Sequence, residues 1–320
     1  MQTRTLLLVC AGVLGAALAT GATTGCGSHD TPSYASLGPA ASTAGGGGSL
    51  GPSGATSGSS GTSGEPTECK KMDIVFVIDN SPSMTEEQNN LAANLPRFVK
   101  IIDDYKTKMG DPLDYRLAVT STDDRADKGT FAVGPGPLAP AGCVAGPARP
   151  WLQRTDSNVA GFFSCRAELG TRGSGTERPL ECGLLSVTER IRDNTNVSST
   201  SRFLRDDALL AMVLITDEDE GSAGDTGSLA RPMAEYPAAF DKLKGGRARW
   251  ATAVIAGPSD CSSPGFGTAA EAKRLKGFIT AVGKNGAFAS ICTGDLTDGL
   301  TKALATFDQA CKAFVPPVVK

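Results

Sequence analysis

The chain of 320 residues contains one histidine, His29, and that residue falls in a low-complexity N-terminal stretch, so the part able to fold has none. Without imidazole there is no Ser-His-Asp or Cys-His catalysis, no histidine-ligated zinc and no histidine-ligated haem. Charge of one sign is not in excess: 31 Lys and Arg stand against 34 Asp and Glu, a formal net charge of −3. With no basic surplus to neutralise phosphates, nucleic acid is not an expected partner. The nine cysteines include no Cys-x-x-Cys pair, which sets aside a zinc site and a thioredoxin-like motif. Beyond the N-terminus no run reaches the length of a membrane span. The Gly-rich segment Gly170–Thr176 lacks the Gly-Lys-Ser/Thr ending of a phosphate-cradling loop, so no nucleotide is expected.

What is present begins with an export pattern. Arg4 precedes an apolar run from Leu6 to Ala19, short for a bilayer span and followed by small residues, as in a secretory signal. Ala22-Thr23-Thr24-Gly25-Cys26 resembles the lipobox of bacterial lipoproteins, in which the cysteine becomes the lipidated first residue; Thr23 stands where that pattern prefers Leu. Residues 1–25 are thus expected to be a signal peptide, and a lipid on Cys26 would tether the protein to a membrane without spanning it. Gly27 stands where inner-membrane retention in Gram-negative bacteria usually has Asp, so the resemblance implies the outer membrane. From Gly27 to Pro66, 34 of 40 residues are Gly, Ser, Thr, Pro or Ala. Such a segment buries too little apolar surface to offset its ordering entropy, and residues 26–66 read as a tether with a reach of about 35 Å.

Residues 67–320 alternate buried-strand and amphipathic-helix patterns, the signature of an α/β fold: a doubly wound, mostly parallel six-stranded sheet with helices on both faces. Strands are expected at Met72–Asp79, Arg116–Thr122, Phe131–Val133 (a short edge strand), Leu209–Thr216, Arg249–Ala256 and Ala287–Cys292. After Ser83, Leu91, Leu95, Phe98, Val99 and Ile102 recur at spacings of three and four, which predicts a helix. Further helices are expected at Ser157–Leu169, Glu177–Arg192, Leu229–Lys244, Ala269–Val282 and Leu296–Phe314.

In such sheets ligands gather at the carboxyl ends of strands. There the first central strand runs into Asp79-Asn80-Ser81-Pro82-Ser83, and the strand at 209–216 into Asp217-Glu218-Asp219-Glu220. Two carboxylates and two hydroxyls make an all-oxygen set, which suits hard cations such as Mg²⁺. An apolar strand followed by D-x-S-x-S, with a later strand followed by T-D, resembles the von Willebrand factor A domain and its metal-ion-dependent adhesion site. The resemblance covers roughly residues 68–314 and implies a Rossmann-like fold, with Asp79, Ser81, Ser83 and Asp217 around Mg²⁺ (or Mn²⁺ or Ca²⁺). It also implies a threonine from an intermediate loop, for which Thr171 is the first choice and Thr176 the second. Pro82 stands where that family usually has Gly. Asn80–Ser83 also fits a strand-to-helix turn with a serine N-cap. Glu218, Asp219 and Glu220 read either as a solvated acidic loop or as a second cation site, with Asp219 kept as a candidate ligand.

Leaving aside Cys10 and Cys26, seven cysteines remain, and export favours disulfides. In a fold of the kind resembled the chain ends lie close, so Cys69 is expected to pair with Cys311. Cys261 and Cys292 follow neighbouring strands, Cys143 and Cys165 bracket a Gly/Pro-rich loop, and Cys182 is left as a buried thiol. Two function classes follow. One is a non-enzymatic binding module, in which a protein or cell-surface ligand presents an Asp or Glu to an open position on the cation. The other is a Mg²⁺-dependent hydrolase or phosphatase using the strand-end aspartates; its dehalogenase-like form needs an Asp where this chain has Ser81.

Overall fold

In the computed structural model, which describes residues 67–196, 201–221 and 229–317, the first apolar run forms strand β1 (Lys71–Ile78), buried from Met72 onward. The signal, Cys26 and tether expected within residues 1–66 lie outside the described residues. The chain continues through α1 (Thr85–Asp104), β2 (Asp114–Ser121), β3 (Leu152–Gln153), α2 (Val159–Ala167) and α3 (Pro179–Val187). The hairpin β4 (Thr195–Asn196) and β5 (Ser201–Arg202) precedes β6 (Leu209–Ile215), α4 (Glu235–Lys244) and β7 (Trp250–Ala256). A second hairpin, β8 (Cys261–Ser263) and β9 (Gly267–Ala269), leads to α5 (Lys273–Val282), β10 (Gly286–Ser290) and α6 (Thr297–Lys312).

The main sheet has the order β10-β7-β6-β1-β2-β3, parallel except for β3, which runs antiparallel to β2 at the edge. It is the doubly wound α/β architecture expected. β1 alternates its side chains between two cores: Ile74, Phe76 and Ile78 pack with α1, α2 and α6, while Val75 and Val77 pack with α3, α4 and α5. A strand covered on both faces is apolar wherever it packs, hence the run Ile74–Ile78, and its buried Asp73 is paired with Arg205 at 2.8 Å. On the first face Phe76 meets Phe98 and Phe163 edge to face, with centroids 5.0 and 4.9 Å apart.

Four expected elements differ, one of them the helix expected from Leu229, which begins at Glu235. Phe131–Val133 is no strand: Ala132 N–H donates to the Val119 carbonyl at 2.8 Å, but Gly134 and Gly136 follow and the ladder stops. The edge position is taken by β3. The helix expected over 177–192 ends at Val187, where Thr188 (φ −121°, ψ −84°) leaves helical geometry before a single 3₁₀ turn. The helix expected from Ala269 begins at Lys273, because Cys261–Ala269 is spent on the β8–β9 hairpin.

Register sets the functional end of the sheet. Ile78 pairs with Ser121 on one side and Ile215 on the other, so the residues that follow, Asp79 and Thr216, emerge together. Asp79 N–H continues the ladder by donating to the Ile215 carbonyl at 2.9 Å.

Candidate metal centre

Asp79 is fully buried, and both its oxygens are engaged: Oδ1 accepts from Ser81 N–H at 2.8 Å and Oδ2 from the Thr216 hydroxyl at 2.6 Å. Burial raises its pKa above the ordinary carboxylate range. The Ser81 and Ser83 hydroxyls lie 3.0 Å apart. Ser81 occupies the N-cap position of the 3₁₀ turn Pro82–Met84, yet its side chain makes no capping hydrogen bond. A serine serving only as a cap would spend its oxygen on a turn N–H; this one is turned to its neighbour instead. Pro82 at the first position of the turn suits the missing N–H there and displaces neither hydroxyl.

Asp217, 3% exposed, faces this pair from the end of β6. Its Oδ1 is buried and has no hydrogen-bond partner. Burial and the neighbouring charge of Asp79 push its pKa up to about 7, with the Ser83 hydroxyl bond acting the other way. Two carboxylates this close in a desolvated setting, one with a free oxygen, form a site that a divalent cation would complete. The donor set fits: an orphaned carboxylate oxygen and two hydroxyl oxygens at one strand end, all hard ligands. Among the described residues no group of three or more His, Cys, Asp or Glu side chains is arranged around a common point, so the hydroxyls are integral to the set.

The intermediate loop reaches the site through residues the sequence reading did not pick out. The Gln88 carboxamide donates to the Asp79 carbonyl at 2.6 Å and the Gly170 carbonyl at 2.7 Å, and accepts from Gly170 N–H at 3.0 Å. Gly173 N–H donates to the Asn80 carbonyl at 2.7 Å, and a Cβ at position 173 would collide with the Asn80 carboxamide. Thr171 lies between these two anchors. Thr176 belongs to the part of the loop fastened elsewhere: its N–H bonds Ser174 Oγ, and Ser174 N–H bonds Asp123 at the end of β2. The Gln88 and Gly173 anchors hold the backbone on either side of Thr171 against Asp79 and Asn80. A third buried carboxylate, Glu87 on α1, has an unpartnered Oε2, and burial pushes its pKa up to about 7. Gly267, at φ +90°, makes room for it, since a Cβ there would collide with the Glu87 carboxylate.

In the acidic run after Asp217, Asp219 and Glu220 are buried and bonded to helix ends. Asp219 Oδ1 accepts from Leu275 and Glu220 N–H, both at 3.0 Å, and Oδ2 from Arg274 N–H at 2.8 Å. It caps the start of α5. Glu220 is buried and accepts from Leu180 N–H at 2.8 Å, Glu181 N–H at 3.3 Å and the Tyr236 hydroxyl at 3.1 Å, which caps α3. Orphan helix N–H groups thus engage both oxygens of each carboxylate.

Disulfides join Cys69 to Cys311, Cys143 to Cys165 and Cys261 to Cys292. Cys182 is a buried free thiol on α3, its pKa raised by burial. A separate apolar groove between α1 and α6, lined by Met72, Ile102, Tyr105 and Leu304, lies at the amino end of β1, away from this chemistry.

Fold and site together describe a doubly wound α/β domain with an oxygen-lined cluster at the carboxyl ends of two neighbouring strands. No protein-family model matches the chain, and no curated protein does. Among solved structures it is similar to proximal thread matrix protein 1 from the mussel byssus (14% identity, TM-score 0.41), over 78% of this chain and 49% of that one. It is also similar to the pilus adhesin SpaC from Lactobacillus rhamnosus GG in its open conformation (14%, TM-score 0.38, 77% and 30%). A third is manganese-loaded TRAP protein of Plasmodium vivax (11%, TM-score 0.37, 77% and 76%). The chain thus spans about half of the mussel protein and less than a third of the adhesin. At such identities and scores the likeness transfers no ligand, partner or activity.

Proposed function

We propose that this protein is an exported, lipid-tethered module of the von Willebrand factor A type that binds a protein or cell-surface ligand through a divalent cation. Asp79, Ser81, Ser83, Thr171 and Asp217 would hold the cation. The observation that carries this reading is the buried, unpartnered Oδ1 of Asp217 beside the Ser81–Ser83 hydroxyl pair. Asp79, with both oxygens already bonded, contributes charge and holds Ser81 in place through its backbone. Asp217 and the two hydroxyls offer the free lone pairs. Gln88 and Gly173 keep the Thr171 loop against Asp79 and Asn80. When bound, Mg²⁺ or Mn²⁺ would neutralise the paired carboxylates and leave a position for a partner's Asp or Glu. Ser83 is exposed, so the cluster opens to solvent on that side.

Calorimetry of Mg²⁺ and Mn²⁺ binding to the wild type and to Asp79→Ala tests this. Wild type should give saturable heat that the variant lacks, and at about 100 times its dissociation constant the cation should add roughly 2.7 kcal/mol of stability. Equal, negligible heats in both proteins would overturn the reading.

A further inference from the structure

A cavity of about 370 Å³ with mixed polar and apolar walls lies beside the candidate metal centre, between the carboxyl end of β2 and the loops that follow it. The two share their walls. Asn80, between Asp79 and Ser81, lines the cavity, and so do Arg172 and Gly173, which directly follow Thr171. Apolar wall comes from Phe131, Ala132, Pro137 and Leu169.

Most polar groups here are already used. Thr120 Oγ1 donates to the Thr130 carbonyl at 2.9 Å. Asp123 accepts from the N–H groups of Arg125, Ala126 and Ser174. Three groups are left open, and one of them, Asn80 Oδ1, is buried without a hydrogen-bond partner. Asp127 takes only the Ser121 hydroxyl, at 2.6 Å, on Oδ2, and forms no ion pair among the described residues. Arg172 is exposed at the rim and makes no hydrogen bond or ion pair among the described residues. Opposite charges that line one cavity without reaching each other leave room for a group that satisfies both.

The chemistry of that group follows from the pair. A carboxylate would suit Arg172 and be repelled by Asp127, and an ammonium would meet the reverse. A sugar ring would set most of its hydroxyls against Phe131, Pro137 and Leu169, where they find no partner. A carboxamide donates through its NH₂ to Asp127 and accepts through its C=O from Arg172, with its methylene stem on the apolar wall. We propose that this cavity is a subsite for the carboxamide of an Asn or Gln side chain on the partner, adjacent to the carboxylate held at the metal centre. That adjacency rests on the cation reading above, whereas filling of the cavity does not.

The test titrates the ¹⁵N-labelled full chain with butyramide and with 2-pentanone, its isostere with methyl in place of NH₂, following backbone amide shifts by NMR. Butyramide should shift Asp127, Thr130, Arg172 and Gly173 saturably, and 2-pentanone should bind about tenfold more weakly, the loss expected for a hydrogen bond to a charged group. Arg172→Ala, which removes an exposed side chain, should weaken butyramide by a similar factor, and Asp127→Ala should do likewise. Butyramide shifts should be the same in EDTA, where no cation is available, as in Mg²⁺, so failure of one reading is distinguishable from failure of the other. Equal binding of the two probes, indifference to Arg172→Ala, or no saturable shifts at these residues would overturn the proposal. So would saturable binding of methyl glucoside where butyramide has none.

Discussion

Asp217 and Asp219 stand two residues apart after one strand, yet Asp217 keeps a buried oxygen without a partner while Asp219 spends both oxygens on backbone N–H groups. Their substitutions should therefore separate. Asp219→Ala is expected to cost about 1–2 kcal/mol of stability, as for the loss of a helix cap, with the Mg²⁺ heat intact. Thermal unfolding in EDTA and calorimetry check this, and loss of the heat in Asp219→Ala would return that residue to the ligand set. The sequence reading took Glu87 only as a first-turn anion of α1 and passed over Gln88, although a signal was there. Each falls at helical spacing from Leu91, so each places a polar group on the buried face of α1. Polar residues on such a face need a local partner, and here the partners are the loop glycine Gly170 and the hairpin residue Thr268.

At the scale of elements, two helices begin on carboxylates from a different segment. Neither α3 nor α5 has a side-chain cap from its own N-cap residue, Arg178 or Ala272. Glu220 and Asp219 supply the acceptors instead, so the strand end that presents Asp217 is bolted to two helices. Glu220 pays for this with its burial, which pushes its pKa up to about 8 from an ordinary 4.5. A carboxylate whose folded pKa is raised contributes stability that is full below about 4.5 and is lost as pH rises through about 8. The protein should therefore lose on the order of 2 kcal/mol from this group between about pH 6 and pH 9. Glu220→Gln should flatten that slope, since a carboxamide does not titrate, while lowering stability at every pH because its single oxygen can no longer accept from both Leu180 and Glu181 N–H. Urea unfolding across that pH range measures it; an unchanged slope in the variant would place the pH dependence elsewhere.

At the scale of the whole molecule the two ends of the domain are closed on each other. Cys69 N–H donates to the Cys311 carbonyl at 2.9 Å, Thr67 N–H to the Phe314 carbonyl at 2.7 Å, and the Cys69–Cys311 disulfide spans 242 residues. In the chain-entropy model a loop of that size is worth about 5 kcal/mol. Replacing both cysteines by Ala should lower unfolding free energy by about 3–5 kcal/mol in urea titrations; an unmoved midpoint would show that end closure contributes nothing. The proposed tether enters at this clamped end. Cys26→Ser should move the protein from the membrane into the soluble exported fraction, and fractionation showing unchanged retention would reject lipid attachment at Cys26.

The central strands, the order of their helices and the crowding of Asp79, Ser81, Ser83 and Asp217 at two neighbouring strand ends were legible in the amino-acid order. A strand buried on both faces is apolar along most of its length, and polar residues crowded at the end of such a run have few local explanations. The edge strand and the β8–β9 hairpin were not legible, because two or three residues carry no periodicity and are set by what the neighbouring backbone leaves unpaired. The duties of the acidic run were decided in space as well. Nothing in Asp-Glu-Asp-Glu distinguishes a ligand from a cap; that depends on Leu275 and Leu180, far along the chain or on another helix, bringing unsatisfied N–H groups to Asp219 and Glu220 and none to Asp217.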